Sequence, residues 1–351
     1  MATTFVGRRA ELAQLTRLLR RARLVTLCGV AGVGKTRLAR RVLEHAREIP
    51  VDLTVMVDLE PLDDPDALPG AVARGLGVGS CGDRTAGQGA AAEQVAAMAA
   101  RLGGRRALLV LDTCDRVVDA AARLATALLR AVPGLRVLAT GRQSLGVPGE
   151  HVHLVRPLPG CDAVALLRDR LGDPPGLDTE AARELCGLLD GVPLAIELAA
   201  RALPGRPIRD YIAALGDGWE PAGAAPVAAA DLPERHRSIR AALGWSHGLC
   251  TPRERLLWAR LSVFPGDFDL AAAEHVCAGG PLPAWAVLDA IGGLVDKSVV
   301  LRADLPGAAR YRLLRGVRAF GAEWLDRLGE RDAVRRRHDD YRKWRIGRGE
   351  R

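Results

Sequence analysis

Residues 24–36 read Leu24-Val-Thr-Leu-Cys28-Gly29-Val-Ala-Gly-Val-Gly34-Lys35-Thr36. The first five are apolar and β-branched, the pattern of a buried strand. The last eight fit G-x-x-x-x-G-K-[ST], the phosphate-binding loop. Residues 37–43 then carry apolar side chains at helical spacing, so the motif has the strand-loop-helix context it needs. Glycines at 29, 32 and 34 let backbone N–H groups turn inward around phosphates, and the following helix N-terminus adds partial positive charge. Lys35 is expected to reach the β- and γ-phosphates and Thr36 to ligate Mg²⁺. The stretch therefore predicts binding of a nucleoside triphosphate or its diphosphate product.

Lys35 is one of only three lysines, with Lys297 and Lys343, in a chain whose Lys and Arg together number 50. A compact ammonium suits a phosphate nest, which supports the assignment. At 351 residues, 48% of them apolar, the chain is long enough for two or three domains with real cores. Aromatics make up only 4%, so Ala, Leu and Val do most of the packing. The formal charge of +8 allows an anionic partner without demanding one. Seven scattered cysteines contain no C-x-x-C and read as reduced thiols. No signal peptide and no apolar run of membrane-spanning length is present, so the expectation is a soluble, cytoplasmic protein with no membrane partner.

Working outward, an amphipathic helix is expected over 11–23. Strands follow at 51–59, 107–112, 135–140 and, at an edge, 151–155, with a glycine-rich loop around 79–89. Strands alternating with helices predict an α/β fold, a parallel sheet with helices on both faces. Ligands in such sheets collect at the carboxyl ends of the strands, where the loop, Asp112 and Arg142 fall. From 157 the pattern is helical: 162–171, 179–189 and 194–202, then a Gly/Ala/Pro-rich linker, then 237–249, 252–263, 270–277 and 284–295. Short strands at 298–301 and 310–314 and a charged helix over 316–345 follow, and helices with a small hairpin outline a winged helix. The expected domains are 1–156 for nucleotide, 157–215 small and helical, 216–236 a linker, 237–330 winged helix, and 331–351 a basic helical tail.

Asp112 closes an apolar strand and suits the second Mg²⁺-organising acid of phosphate-loop enzymes. Thr113 stands where many hydrolytic members place another acid. Asp115 either orients water or caps the helix that follows. Arg142 either senses a γ-phosphate or lies on an arginine-rich surface. Pro193, in Gly191-Val-Pro193, fits the first turn of a helix. There is no asparagine, hence no N-K-x-D guanine motif, and adenine is the expected base.

In this order the motifs resemble the STAND class of signal-transduction ATPases, in its NB-ARC-like bacterial regulator branch. The resemblance runs from Phe5-Val-Gly-Arg8 through the phosphate loop, Leu109-Val-Leu-Asp112-Thr-Cys-Asp115, Val137-Leu-Ala-Thr140-Gly-Arg142 and Gly191-Val-Pro193-Leu-Ala. It continues to Arg237-Ser-Ile-Arg, Leu261-Ser-Val-Phe264, Leu294-Val-Asp-Lys297-Ser and Arg310-Tyr-Arg-Leu-Leu. It implies that Val6, Gly7 and Arg8 lie near adenine and that Pro193 packs on the base or sugar. Gly29, Gly32, Val33, Gly34, Lys35, Thr36 and Arg37 would hold the phosphates of ATP or ADP with Mg²⁺, and Thr36 and Asp112 would hold the metal. Lys35, Asp112, Asp115 and Arg142 would serve catalysis. Arg312 stands where many members place a phosphate-contacting histidine. With Thr113 it departs from the pattern, which points to binding and slow hydrolysis.

The resemblance implies a switch, closed with ADP and open with ATP, acting in signalling or transcriptional regulation through a protein partner or self-assembly. The alternative is a DNA-binding regulator using the winged helix and the tail at 335–345, which carries basic residues and two aromatics. The tail reads better as the solvated face of a helix.

Overall fold

A computed structural model describes residues 4–78, 88–216, 218–220, 237–305 and 308–347. Most of the expected 79–89 loop, most of the 216–236 linker and the last four tail residues lie outside them. The chain divides into two compact units, one of residues 1–29 and 34–156 and the other of residues 30–33 and 157–351.

The first unit holds strands β1 (Leu24–Cys28), β2 (Leu53–Asp58), β3 (Ala107–Asp112), β4 (Leu135–Thr140) and β5 (Glu150–Leu154). They form one sheet in the order β2-β3-β4-β1-β5, every pair parallel. Every residue of β1 and β3 is buried, which is why their sequences are unbroken apolar runs. The edge strands β2 and β5 are more exposed, and β5 spans the sheet edge with His151 and Val152 in solvent.

Helices of this unit are α1 (Arg9–Arg21), α2 (Lys35–Glu44), α3 (Leu68–Gly75), α4 (Gln88–Leu102) and α5 (Val118–Ala131). A core of Leu68, Val72, Met98, Leu102, Leu124 and Leu128 packs with Leu109, Leu111 and Val137 of the central strands. Burying a Leu or Val side chain contributes about 1.5–3 kcal/mol. This aliphatic core therefore compensates for the scarcity of aromatics.

The second unit is mainly helical: α6 (Gly160–Arg170), α7 (Thr179–Leu188), α8 (Pro193–Ala202), α9 (Ile208–Leu215), α10 (Ile239–Gly248), α11 (Pro252–Leu261), α12 (Leu270–Cys277), α13 (Val287–Asp296), α14 (Arg315–Arg327) and α15 (Arg331–Gly347). An antiparallel hairpin of β6 (Leu301–Leu305) and β7 (Ala308–Arg312) precedes α14. Trp258 of α11 is almost fully buried and donates its indole N–H to the Val317 carbonyl at 2.9 Å, fastening α11 to α14.

Three expectations are corrected. The helix expected over 316–345 is two helices. Gly329 takes a left-handed φ of 69°, and Glu330 N–H returns to the Leu325 carbonyl at 3.2 Å, which ends α14 before α15 starts. The first hairpin strand begins at Leu301 and not at 298, because Val299 and Val300 both donate to the Leu294 carbonyl and finish α13. The second strand is likewise set two residues earlier than expected. The helix α9 had no counterpart in the sequence reading.

Among the described residues no helix is long and apolar enough to cross a membrane. The described cysteines are free thiols, all buried except Cys161.

Candidate nucleotide site

The site grows from the carboxyl ends of three adjacent strands, β3, β4 and β1. Gly34 adopts φ 96° and serves as the N-cap of α2. Gly32 adopts φ 73°, and a Cβ there would meet the Leu194 Cβ at 2.6 Å. Only glycine combines that backbone with that close approach. Val33 is fully buried and its N–H reaches the Val30 carbonyl at 3.3 Å. Arg37 lies one turn into α2 and is half-buried.

Lys35 extends its ammonium back over the loop to the Gly29 carbonyl at 2.7 Å. Burial pushes the Lys35 pKa down to about 8. The Asp115 carboxylate opposes this and the Arg142 guanidinium reinforces it, so all three charges lie within electrostatic range.

Thr36 donates its hydroxyl to the Asp112 carboxylate at 2.9 Å, and Thr140 donates to the same oxygen at 2.6 Å. Burial raises the Asp112 pKa, and these two hydroxyl donors hold it back. Thr36 and Asp112 are thus adjacent oxygen donors of the hard type Mg²⁺ takes. Among the described residues no group of three His, Cys, Asp or Glu side chains forms a separate metal site. The loop amides, Lys35 and this oxygen pair fit a Mg²⁺-nucleotide: the loop would hold phosphates, and Thr36 and Asp112 the ion.

Thr113 adopts a left-handed φ of 64° and donates its N–H to the Thr140 hydroxyl at 2.9 Å. Asp115 is not a helix cap. It sits inside the single turn Cys114–Arg116, ahead of α5, and accepts the Arg142 backbone N–H at 2.7 Å and its guanidinium Nε–H at 3.4 Å. Both side chains are under one-tenth exposed, so Arg142 is not an ordinary surface arginine.

Arg8, the N-cap of α1 at φ 59°, is buried and donates to the Arg156 carbonyl at 2.9 Å. Arg8 also pairs with Glu11, whose other oxygen lies 3.3 Å from His153. Gly7 before it has φ 74°, and Val6 is half-buried.

Within the second unit, Pro193 is the first residue of α8. Leu194 N–H donates to the Gly32 carbonyl at 3.1 Å, so the turn before α8 meets the phosphate loop directly. Arg312 ends β7 with its side chain 59% exposed and 4.0 Å from Asp190. Two contributors escaped the sequence reading. The Thr140 hydroxyl was legible only as a strand end, and Asp190 gave no signal before its partners were known.

A family model described as an AAA domain matches residues 17–145. A Mycobacterium tuberculosis protein named as an HTH-type transcriptional regulator is 39% identical over 331 residues, 92% of this chain and 36% of that protein. The chain therefore spans about a third of the length of that curated relative. An uncharacterised protein of the same organism is 36% identical over 353 residues, covering 97% of this chain and 86% of its own length. Among solved structures, a Walker-type ATPase of Pyrococcus abyssi is similar in fold at a TM-score of 0.54 and 15% identity, covering 90% of this chain and 95% of that one. With its strand-loop-helix site intact, the chain belongs to the STAND class of P-loop signal-transduction ATPases, and its relatives include proteins named as bacterial transcriptional regulators.

Proposed function

We propose that the chain is an adenine-nucleotide switch in signalling or transcriptional regulation, closed with ADP and open with ATP, with slow hydrolysis. The observation that carries this reading is the engagement of Asp115 by Arg142. An acid committed to a buried arginine is poorly placed to activate water, while the loop, Lys35, Thr36 and Asp112 keep everything binding requires. A switch needs differential affinity for two states and not rapid turnover.

In this reading residues 157–215 are the small helical domain, 237–330 the winged helix that locks the ADP state, and 216–236 the linker between them. The family resemblance would give Val6, Gly7, Arg8 and Pro193 contacts to the adenine nucleoside and Arg312 a contact to the phosphates. The contact of Leu194 with Gly32 supports a nucleotide-sensing role for the turn at 190–194. The ATP state would present a surface for a protein partner or for self-assembly.

DNA is the second reading, since the tail is basic. Tyr341, however, is buried and packs with His275, and Asp339 and Asp340 stand exposed among the arginines of α15. A seam of packing and mixed charge supports a solvated helix more than a DNA face.

The test is to identify nucleotide in the purified protein and in Lys35→Ala. Co-purified ADP that the variant loses is the expected result. Wild-type protein that binds neither ADP nor ATP overturns the reading.

A further inference from the structure

The Asp115–Arg142 pair faces Lys35 of the phosphate loop closely enough for all three charges to act on one another. Its geometry is specific. One carboxylate oxygen is fixed by the Arg142 backbone N–H at 2.7 Å, while the other faces the guanidinium Nε at 3.4 Å. The backbone contact anchors the carboxylate at the end of β4 whatever the arginine side chain does. Both side chains are almost withdrawn from water. Their charges are therefore poorly screened from each other and from Lys35.

We propose that Asp115 is a specificity-determining residue, a fixed negative charge that narrows the preference of this site for triphosphate over diphosphate by partly neutralising Arg142. The proposal rests on the reading of Arg142 as the sensor of the γ-phosphate. The charges of Lys35 and Arg142 are offset by those of Asp112 and Asp115. A triphosphate brings more negative charge than a diphosphate, and brings it to the Arg142 side. Removing a fixed carboxylate must therefore favour the triphosphate more. The site as built pulls ATP and ADP closer together in affinity, which suits a device that must release one and accept the other.

This differs from a purely structural role. If Asp115 only propped up the loop after β4, its loss would weaken both nucleotides together. Asp115→Asn keeps the oxygen that accepts the Arg142 amide, removes the charge and replaces the acceptor facing the guanidinium Nε–H with an NH2 donor, and Asp115→Glu keeps the charge at a longer reach.

The experiment is equilibrium titration of ATP and ADP, with EDTA present, into the wild type, Asp115→Asn, Asp115→Glu and Arg142→Ala. Asp115→Asn is expected to raise the ATP-over-ADP affinity ratio about tenfold, the scale of one charge acting across a partly screened site. Asp115→Glu should return the ratio toward that of the wild type. An Asp115→Asn ratio equal to the wild type, or equal weakening of both nucleotides, overturns the proposal. Arg142→Ala separates the two readings. An unchanged ratio there sinks the γ-phosphate reading itself, whereas a changed ratio there with an unchanged one in Asp115→Asn sinks only the role of Asp115. Should Asp115→Asn not fold, Asp115→Ser keeps an acceptor for the amide and carries the same expectation.

Discussion

Trp219 donates its indole N–H to the Asp190 carboxylate at 3.1 Å. The same carboxylate oxygen accepts the Arg315 backbone N–H at 2.6 Å, at the first residue of α14. Asp190 holds a left-handed φ of 53° directly before Gly191, whose missing Cβ leaves room for the Leu158 carbonyl. Four residues beyond Asp190, Leu194 bonds to Gly32. Five residues of turn therefore touch the phosphate loop at one end and fasten α14 at the other.

Asp190→Ala leaves the indole and amide donors buried without their acceptor. The expected cost is roughly 2–4 kcal/mol of unfolding free energy, because each orphaned buried donor forfeits its desolvation. Urea unfolding followed by tryptophan fluorescence measures it. A loss below about 0.5 kcal/mol would mean that water replaces the carboxylate and that the turn is not a fastening point.

Gly32 and Gly34 separate steric from conformational demands on the loop. Both have positive φ, but a Cβ on Gly34 meets nothing within 4 Å, while one on Gly32 runs into the Leu194 Cβ. Gly34→Ala is expected to cost about 1–2 kcal/mol from left-handed strain alone. Gly32→Ala should add about 1–3 kcal/mol of overpacking, since a Cβ cannot rotate aside. Chemical denaturation of nucleotide-free protein compares them, and equal losses would contradict the contact with Leu194.

Much of the first unit was legible because its signals are local. A phosphate loop is one contiguous stretch, and β1 and β3, buried on both faces, leave unbroken apolar runs that periodicity reads directly. Strand order is not local, and nothing in residues 24–28 says that β4 and β5 flank β1. The site was legible as residue types and not as pairings. Asp115 could have capped a helix, and only its distance to Arg142 decides otherwise. The split between α14 and α15 was missed because charged residues keep helical spacing across Gly329, whose left-handed turn ends the first helix. Asp190 stayed invisible because its partners lie 29 and 125 residues away.

His247 gives a pH test of the second unit. Its ring stacks on Trp324 with centroids 4.3 Å apart and lies 5.7 Å from both Trp258 and Phe320. Burial in that cluster pushes its pKa down to about 4, with Arg255 and Arg327 acting in the same direction. The folded value lies below the unfolded one of about 6.5, so the unfolded chain binds more protons between them. Stability is then fully present above about pH 6.5 and lost as the pH falls toward 4. His247→Phe keeps an aromatic ring in the cluster and removes the titration, so its unfolding midpoint should fall less steeply than the wild type across that window. The comparison is urea unfolding at pH 7.0, 6.0, 5.0 and 4.5 for both proteins. Parallel pH profiles would show that His247 already carries its proton in the fold, or keeps the same pKa in both states, and that the acid sensitivity of the second unit lies in its carboxylates.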